Sequence, residues 1–164
     1  MPTPTLALRS MAAGDAPACA AMVCDSAIGE RYGFTLDGMA KTLAAALAAA
    51  LEGSSELFVA ELEGRIAGFA WIDARGAFSS APYLRLIAVD PAIRGGGVGA
   101  ALLAEFERRT APVGRDWCLL VSDFNEAAIA FYERRGYERR GALPDFARPG
   151  ITEILMVKRR RNSP

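Results

Sequence analysis

The sequence predicts a mixed α/β fold in a single domain. Three observations predict it. Two helical stretches come early in the chain, an antiparallel hairpin follows them, and the remainder alternates strand, helix, strand, helix, strand. At 164 residues the chain is of ordinary size for one domain and long enough to bury a proper core.

In chain order, Met1–Thr5 is a loose start and Leu6–Met11 forms a first strand. Gly14-Asp15 leads into a short helix with Ala16, Cys19, Ala20 and Val23 on one side, and Asp15 is the candidate N-cap. Ser26–Phe34, reading SAIGERYGF, is expected to be a glycine-punctuated loop. Leu36, Met39, Leu43, Leu47 and Leu51 then stripe one face of a helix that Gly53 stops. Its alanines favour helix without filling much core. Leu57–Leu62 and Ile66–Ile72 alternate as strands around Glu63-Gly64, a hairpin turn. Gly76–Pro82 is expected to be a loop.

The apolar run Leu84–Val89 is a buried strand, ended by Asp90-Pro91 because proline has no N–H for a ladder. A helix follows to about Arg109, with Val98, Ala101, Leu102 and Phe106 at helical spacing. Trp117–Val121 is continuously apolar and reads as a strand buried on both faces. Asn125–Arg135 is the next helix, capped by Gly136. Glu138–Arg148 has little pattern and is expected to be a loop. Ile151–Lys158 is a last strand, and Lys158–Arg161 a solvated basic tail.

Composition excludes several classes of function. Nineteen basic residues balance nineteen acidic ones, which argues against a nucleic-acid partner. No apolar run approaches the roughly 20 residues of a membrane span. No charged-then-apolar leader opens the chain, so a cytoplasmic protein is expected. Cys19, Cys24 and Cys118 are odd in number and lack metal spacing; buried inert thiols are the default. Histidine is absent. That excludes a Ser-His-Asp or Cys-His machine and a histidine-bound metal, and no metal is expected. Proton transfer falls to carboxylates, tyrosines, water or backbone.

The chain is organised around Tyr83–Thr110, YLRLIAVDPAIRGGGVGAALLAEFERRT. Gly95, Gly96, Gly97 and Gly99 lie between the strand and the helix that begins at Val98. Free N–H groups of a first helical turn point outward at the positive end of the helix dipole, which makes an anion site. Glycine lets a phosphate lie directly against the backbone, and Arg94 adds a fixed charge at the mouth. A P-loop is excluded, because the stretch lacks its Gly-Lys-Ser/Thr ending. Gly95, Gly97 and Ala100 nominally fit the dinucleotide pattern G-x-G-x-x-A, but Asp90–Arg94 intervene between strand and glycines.

The third pattern is Arg-x-x-Gly-x-Gly, Arg94, Gly97 and Gly99, after a strand ending Ile87-Ala88-Val89. With that spacing the chain resembles the pyrophosphate loop of the GNAT N-acetyltransferase superfamily, which binds acetyl-coenzyme A. A second stretch, NEAAIAFYERRGY, resembles the family's Asn-x-x-Ala-x-x-Phe-Tyr followed by Gly-Phe/Tyr. The matches are Asn125, Ala128, Phe131, Tyr132, Gly136 and Tyr137.

The resemblance implies a mostly antiparallel sheet of six to seven strands flanked by about four helices. It also implies a splay between the fourth and fifth strands, here Leu84–Val89 and Trp117–Val121. In the family the pantetheine arm enters that splay, so the backbone of Ile87, Ala88 and Val89 is expected to hold it. Arg94, Gly95, Gly96, Gly97, Val98 and Gly99 would hold the diphosphate. A backbone N–H on the fourth strand, that of Val89, would polarise the thioester carbonyl. Tyr132 is the expected acid for the departing thiolate, with Asn125 on the coenzyme arm. Asn125 and Tyr132 are seven residues apart, within roughly 20° of one helix face and about 10 Å along its axis. Asn125 also suits a helix cap, and the two roles are compatible.

The resemblance supplies no general base. Ribosomal-protein N-terminal acetylators carry a glutamate where this chain has Leu120, and histone-type members carry one where it has Tyr83. The carboxylates left near the expected cleft are Glu30, Asp73 and Asp123. Glu30, Arg31 and Tyr32 are candidates for touching the acceptor, with Phe78 and Leu143–Phe146 as further lining. The expected acceptor is the amine of a small polar molecule; a protein N-terminus or lysine stays open. So do a non-catalytic acyl-coenzyme A binding module and a dinucleotide oxidoreductase with Asp123 as its ribose acid. Homodimers are common in the family, but no sequence stripe marks an interface.

Overall fold

The computed structural model describes residues 5–53 and 55–161. The loose start expected at Met1–Thr5 lies outside these residues except for Thr5. Seven strands form one sheet: β1 (Leu6–Ser10), β2 (Ser55–Leu62), β3 (Arg65–Ala77), β4 (Ala81–Val89), β5 (Trp117–Ser122), β6 (Glu138–Pro144) and β7 (Thr152–Lys158). Their order is β1-β2-β3-β4-β5-β7-β6. β4 and β5 run parallel through Tyr83 opposite Cys118 and Leu84 opposite Leu119. β1 with β2, β5 with β7, and β6 with β7 are antiparallel. The helices are α1 (Ala16–Cys24), α2 (Ala27–Tyr32), α3 (Leu36–Ala50), α4 (Val98–Thr110) and α5 (Glu126–Glu133). A mixed, mostly antiparallel sheet of seven strands is the architecture that the motifs implied; the parallel pairing of β4 with β5 at Tyr83 and Leu84 is added by the structure.

The chain divides into two compact units. One runs to Ile72 and includes Leu86–Arg109; the other holds Asp73–Arg85 and the residues from Thr110 on. In the first unit, Met11, Cys19, Ala20 and Val23 meet Met39, Leu43 and Ala46 of α3 and Leu57, Val59 and Phe69 of the sheet. The apolar stripe of α3 buries only its middle: Leu43 is fully buried, while Leu36 and Leu51 at its ends are exposed. The carboxylate of Asp15 does not cap α1. It accepts from the Ala12 N–H at 2.8 Å and pairs with Arg9. Cys19 is buried, and that burial pushes its thiol up to about 12.

The expected loop at Ser26–Phe34 is instead the helix α2. Ser26 accepts from the Gly29 N–H, and Gly33 closes the helix at φ 68°. Gly29 is required by packing. A Cβ there would lie 2.3 Å from the Val23 carbonyl oxygen.

The loop expected at Gly76–Pro82 shrinks to a tight turn, because β3 runs on to Ala77 and β4 starts at Ala81. Phe78 and Ser79 take φ of 52° and 55°, as Glu63 and Gly64 take 51° and 77° in the β2–β3 hairpin. The featureless Glu138–Arg148 contains β6, an edge strand paired along one side to β7. Its charged, exposed side chains are those that blunt an edge, so no alternation marks it. The basic tail is tied down at its root. Lys158 lies over the rings of Trp117 and Tyr137, each at 5.8 Å, and the Arg160 N–H donates to Asp116.

Candidate active site

The glycine loop is shaped from both ends. At the strand end, the Asp90 N–H donates to the Ala67 carbonyl at 2.9 Å, and the Asp90 carboxylate accepts from the Ala92 N–H. A single 3-10 turn, Pro91–Ile93, carries the chain to Arg94. At the helix end, the Ala101 N–H donates to the Gly97 carbonyl at 3.0 Å, so α4 takes its first bond from Gly97. Gly95 and Gly97 have φ of 86° and 80°, the left-handed region that glycine enters without strain, and a Cβ at either would meet open space. The loop therefore needs glycine for its path and leaves its outer surface clear.

Among the described residues, no group accepts from the N–H of Val98 or Gly99. The Gly96 N–H is taken, since it donates to Ile93 at 3.2 Å. Arg94 is exposed, with no ion-pair partner among the described residues. Two first-turn amides without a partner among the described residues thus lie at the positive end of a 13-residue helix, with the exposed Arg94 four positions before it. This is chemistry that suits a diphosphate. Gly68 of β3 lets α4 lie close: a Cβ there would sit 3.0 Å from Leu102 and 3.1 Å from Val98. Ile87, Ala88 and Val89 end β4 half-buried, and Ala88 packs against the α1–α3 core.

In the second unit, Asn125 is the N-cap of α5, its side-chain oxygen accepting from the Ala128 N–H at 3.3 Å. The cap uses the oxygen and leaves the amide donors of Asn125 for another partner. Tyr132 is buried with its ring edge-on to Phe131 at 5.2 Å and to Tyr137 at 5.8 Å. Among the described residues nothing hydrogen-bonds its hydroxyl. Burial raises this phenol above its ordinary value of 10, which keeps it a proton donor through the neutral range. Phe131 carries Arg135 over its ring at 3.8 Å and is a packing residue.

The candidate acceptor residues fall in both units: Glu30, Arg31 and Tyr32 in the first, and Asp73, Phe78, Asp123 and Phe146 in the second. Glu30 and Arg31 are exposed on α2, and the Tyr32 ring stacks on Phe34 at 5.5 Å. Asp123 is exposed. Phe78 and Phe146 project from the β3–β4 turn and the β6–β7 connection, 84% and 65% exposed. Asp73 is buried and paired with Arg85 at 2.7 Å. One buried carboxylate escaped the sequence reading. Glu153 on β7 is 5% exposed and accepts the Ser122 hydroxyl at 3.2 Å. The available signal was an acid placed inside the apolar alternation of TEILMVK.

Comparison with known proteins bears on the family and the fold. A family model described as an acetyltransferase (GNAT) domain matches residues 53–139. A blasticidin-S acetyltransferase of Streptomyces morookaense is 36% identical over 76 residues, 46% of this chain and 55% of that protein, so the match spans little more than half of it. An uncharacterized N-acetyltransferase of Methanocaldococcus jannaschii is 32% identical over 109 residues, 65% of this chain and 67% of that one. Among solved structures, a Desulfovibrio desulfuricans protein classed with the GNAT acetyltransferases superposes with a TM-score of 0.78. It is 25% identical, over 94% of this chain and 99% of its own. The matched segment contains the Arg94–Gly99 loop, Asn125 and Tyr132, and on this evidence the chain belongs to the GNAT acetyltransferase family.

Proposed function

We propose that this protein moves an acetyl group from acetyl-coenzyme A to the primary amine of a small molecule, by direct attack in a ternary complex. The observation that carries the reading is the Arg94–Gly99 loop. Its clear outer surface at Gly95 and Gly97, the unpaired amides at the start of α4 and the exposed Arg94 suit a diphosphate in charge and shape. A relative named for acetylating blasticidin S supports a small-molecule acceptor.

Each residue then has a task. The N–H groups of Gly97, Val98 and Gly99, with Arg94, hold the diphosphate. The backbone of Ile87 to Val89 aligns the pantetheine arm, and the Val89 N–H polarises the carbonyl as it becomes an oxyanion. Asn125 offers its amide donors to the arm. Tyr132 donates to the sulfur as the carbon–sulfur bond breaks. Holding donor and acceptor together removes much of the entropic barrier of a bimolecular reaction.

The test is calorimetry with acetyl-coenzyme A, followed by a panel of primary amines read by release of free thiol. Binding with turnover of at least one small amine is the expected result. Absence of heat with the acetylated and the free coenzyme removes the function. Heat without turnover of any amine leaves a binding module.

A further inference from the structure

We infer that the end of the second unit where β5 begins and β7 finishes docks on an anionic membrane surface, with arginines on the lipid phosphates and Phe78 entering the headgroup layer. The inference goes beyond the acetyl-transfer reading and does not depend on it.

The strand registers gather a charge that the balance of the whole chain conceals. Trp117 at the start of β5 stands opposite Lys158 at the end of β7, and Glu138 at the start of β6 stands opposite Val157. Arg134 closes α5 and, with Arg135, leads into β6, where Arg139 and Arg140 follow. The Arg160 N–H donates to Asp116 at 2.9 Å, which brings the segment Lys158–Arg161 against the approach to β5, beside Arg115. Nine of the nineteen basic residues therefore meet at one end of this unit, with the three acids Asp116, Glu133 and Glu138 among them. Glu133 and Glu138 pair with Arg139 and Arg140. Arg115, Arg134, Arg159 and Arg161 are exposed and have no ion-pair partner among the described residues. Eight of the nine are arginine, whose planar fork meets a phosphate through two parallel hydrogen bonds.

The same end carries an apolar group that the fold does not use. Tyr83 and Leu84 of β4 run parallel to Cys118 and Leu119 of β5, so the turn before β4 lies at the end where β5 begins. In that turn the Ser80 N–H donates to the Ala77 carbonyl at 3.0 Å. Phe78 and Ser79 at its tip both take positive φ, where asparagine and glycine are the usual residues. A bulky ring in that conformation carries strain, and this one is 84% exposed, so it returns no burial to the fold. Asn125, this unit's residue for the coenzyme arm, opens α5 at the other end, about 13 Å along the helix from Arg134.

A bilayer answers both features at once. Its phosphates take the guanidiniums, and the boundary beneath them takes one ring held out on a tight turn. A single-stranded nucleic acid would use the charge, but it stacks on successive aromatic rings. Among the described residues Phe78 is the one large exposed apolar side chain at this end.

The experiment is flotation of the full chain with vesicles of phosphatidylcholine, alone or with roughly a third phosphatidylserine, at about 50 to about 300 mM salt. Binding to the anionic vesicles alone, weakening as salt rises, is expected. Arg134→Gln combined with Arg159→Gln and Arg161→Gln should weaken it about 100-fold. Phe78→Asn should weaken it about tenfold and keep or raise Tm, because asparagine tolerates the positive φ of the turn. No flotation with the anionic vesicles overturns the inference, and so does equal flotation with the neutral ones. Unchanged vesicle affinity in the triple arginine variant or in Phe78→Asn overturns it as well. A labelled single-stranded RNA that binds more tightly than the vesicles, and equally to wild type and Phe78→Asn, overturns the membrane in favour of a nucleic acid.

Discussion

The carbonyl oxygen of Ala88 lies 2.8 Å from where a side chain at Gly68 would begin. That contact fixes how closely β3, β4 and α4 pack, because the same missing side chain would also touch Leu102 and Val98 of the helix. The seat of α4 in turn sets the direction of the first-turn amides. Gly68→Ala is therefore expected to act twice. Overpacking should lower stability by about 1–3 kcal/mol, read as a fall in Tm. The displaced helix start should also weaken acetyl-coenzyme A in calorimetry. A variant with wild-type Tm and affinity would show that the helix start does not depend on this contact.

Much of this arrangement was legible in the sequence, and the reasons are local. Gly95 and Gly97 announce their positive φ by being glycine, and Asp90-Pro91 ends a strand by the chemistry of proline. What stayed hidden depends on partners distant in the chain. β6 carries Glu138, Arg139 and Arg140 in a row and is a strand only because β7 supplies a ladder. α2 is too short to show a periodicity, and its existence rests on the Ser26 cap and the fit of Gly29 over α1. Glu153 was passed over because its significance comes from Ser122, 31 positions earlier.

Gly97→Ala separates backbone strain from ligand contact. At φ 80° an alanine costs roughly 1 kcal/mol, but no neighbour lies within reach of its Cβ, so the fold should survive with a small fall in Tm. The methyl would stand on the surface where a phosphate is proposed to lie. Affinity for acetyl-coenzyme A is expected to fall more than tenfold, a larger effect than the stability change explains. Equal affinity for wild type and variant would move the diphosphate elsewhere.

Tyr132→Phe removes one oxygen from an otherwise unchanged aromatic cluster with Phe131 and Tyr137. Turnover should drop by roughly 10²- to 10⁴-fold while the heat of donor binding is kept. Burial holds the Tyr132 phenol above 10, and the protonated form is the donor. The wild type should consequently show no alkaline loss of rate from this group up to pH 10. Full activity in the variant would reduce Tyr132 to packing.

The acid stability of the α4 end follows from Glu105. Arg108 and Arg109 both donate to its carboxylate at 2.7 Å, and Arg109 continues to Glu56 at 2.8 Å. The hydrogen bond from Arg108 comes first among the causes that bring Glu105 from its ordinary 4.5 down to about 2, against some resistance from burial. A carboxyl whose value is lower in the folded state stabilises the fold above the unfolded value and loses that contribution as pH falls through the folded one. Glu105→Gln should therefore lower Tm at pH 7, and the gap to wild type should narrow steadily between pH 4.5 and pH 2. Added salt should shrink the pH 7 gap in part only, since Arg109 is 19% exposed while Arg108 is 70% exposed. Thermal melts over that pH range check it, and a gap that is constant with pH would place the effect in side-chain packing rather than charge.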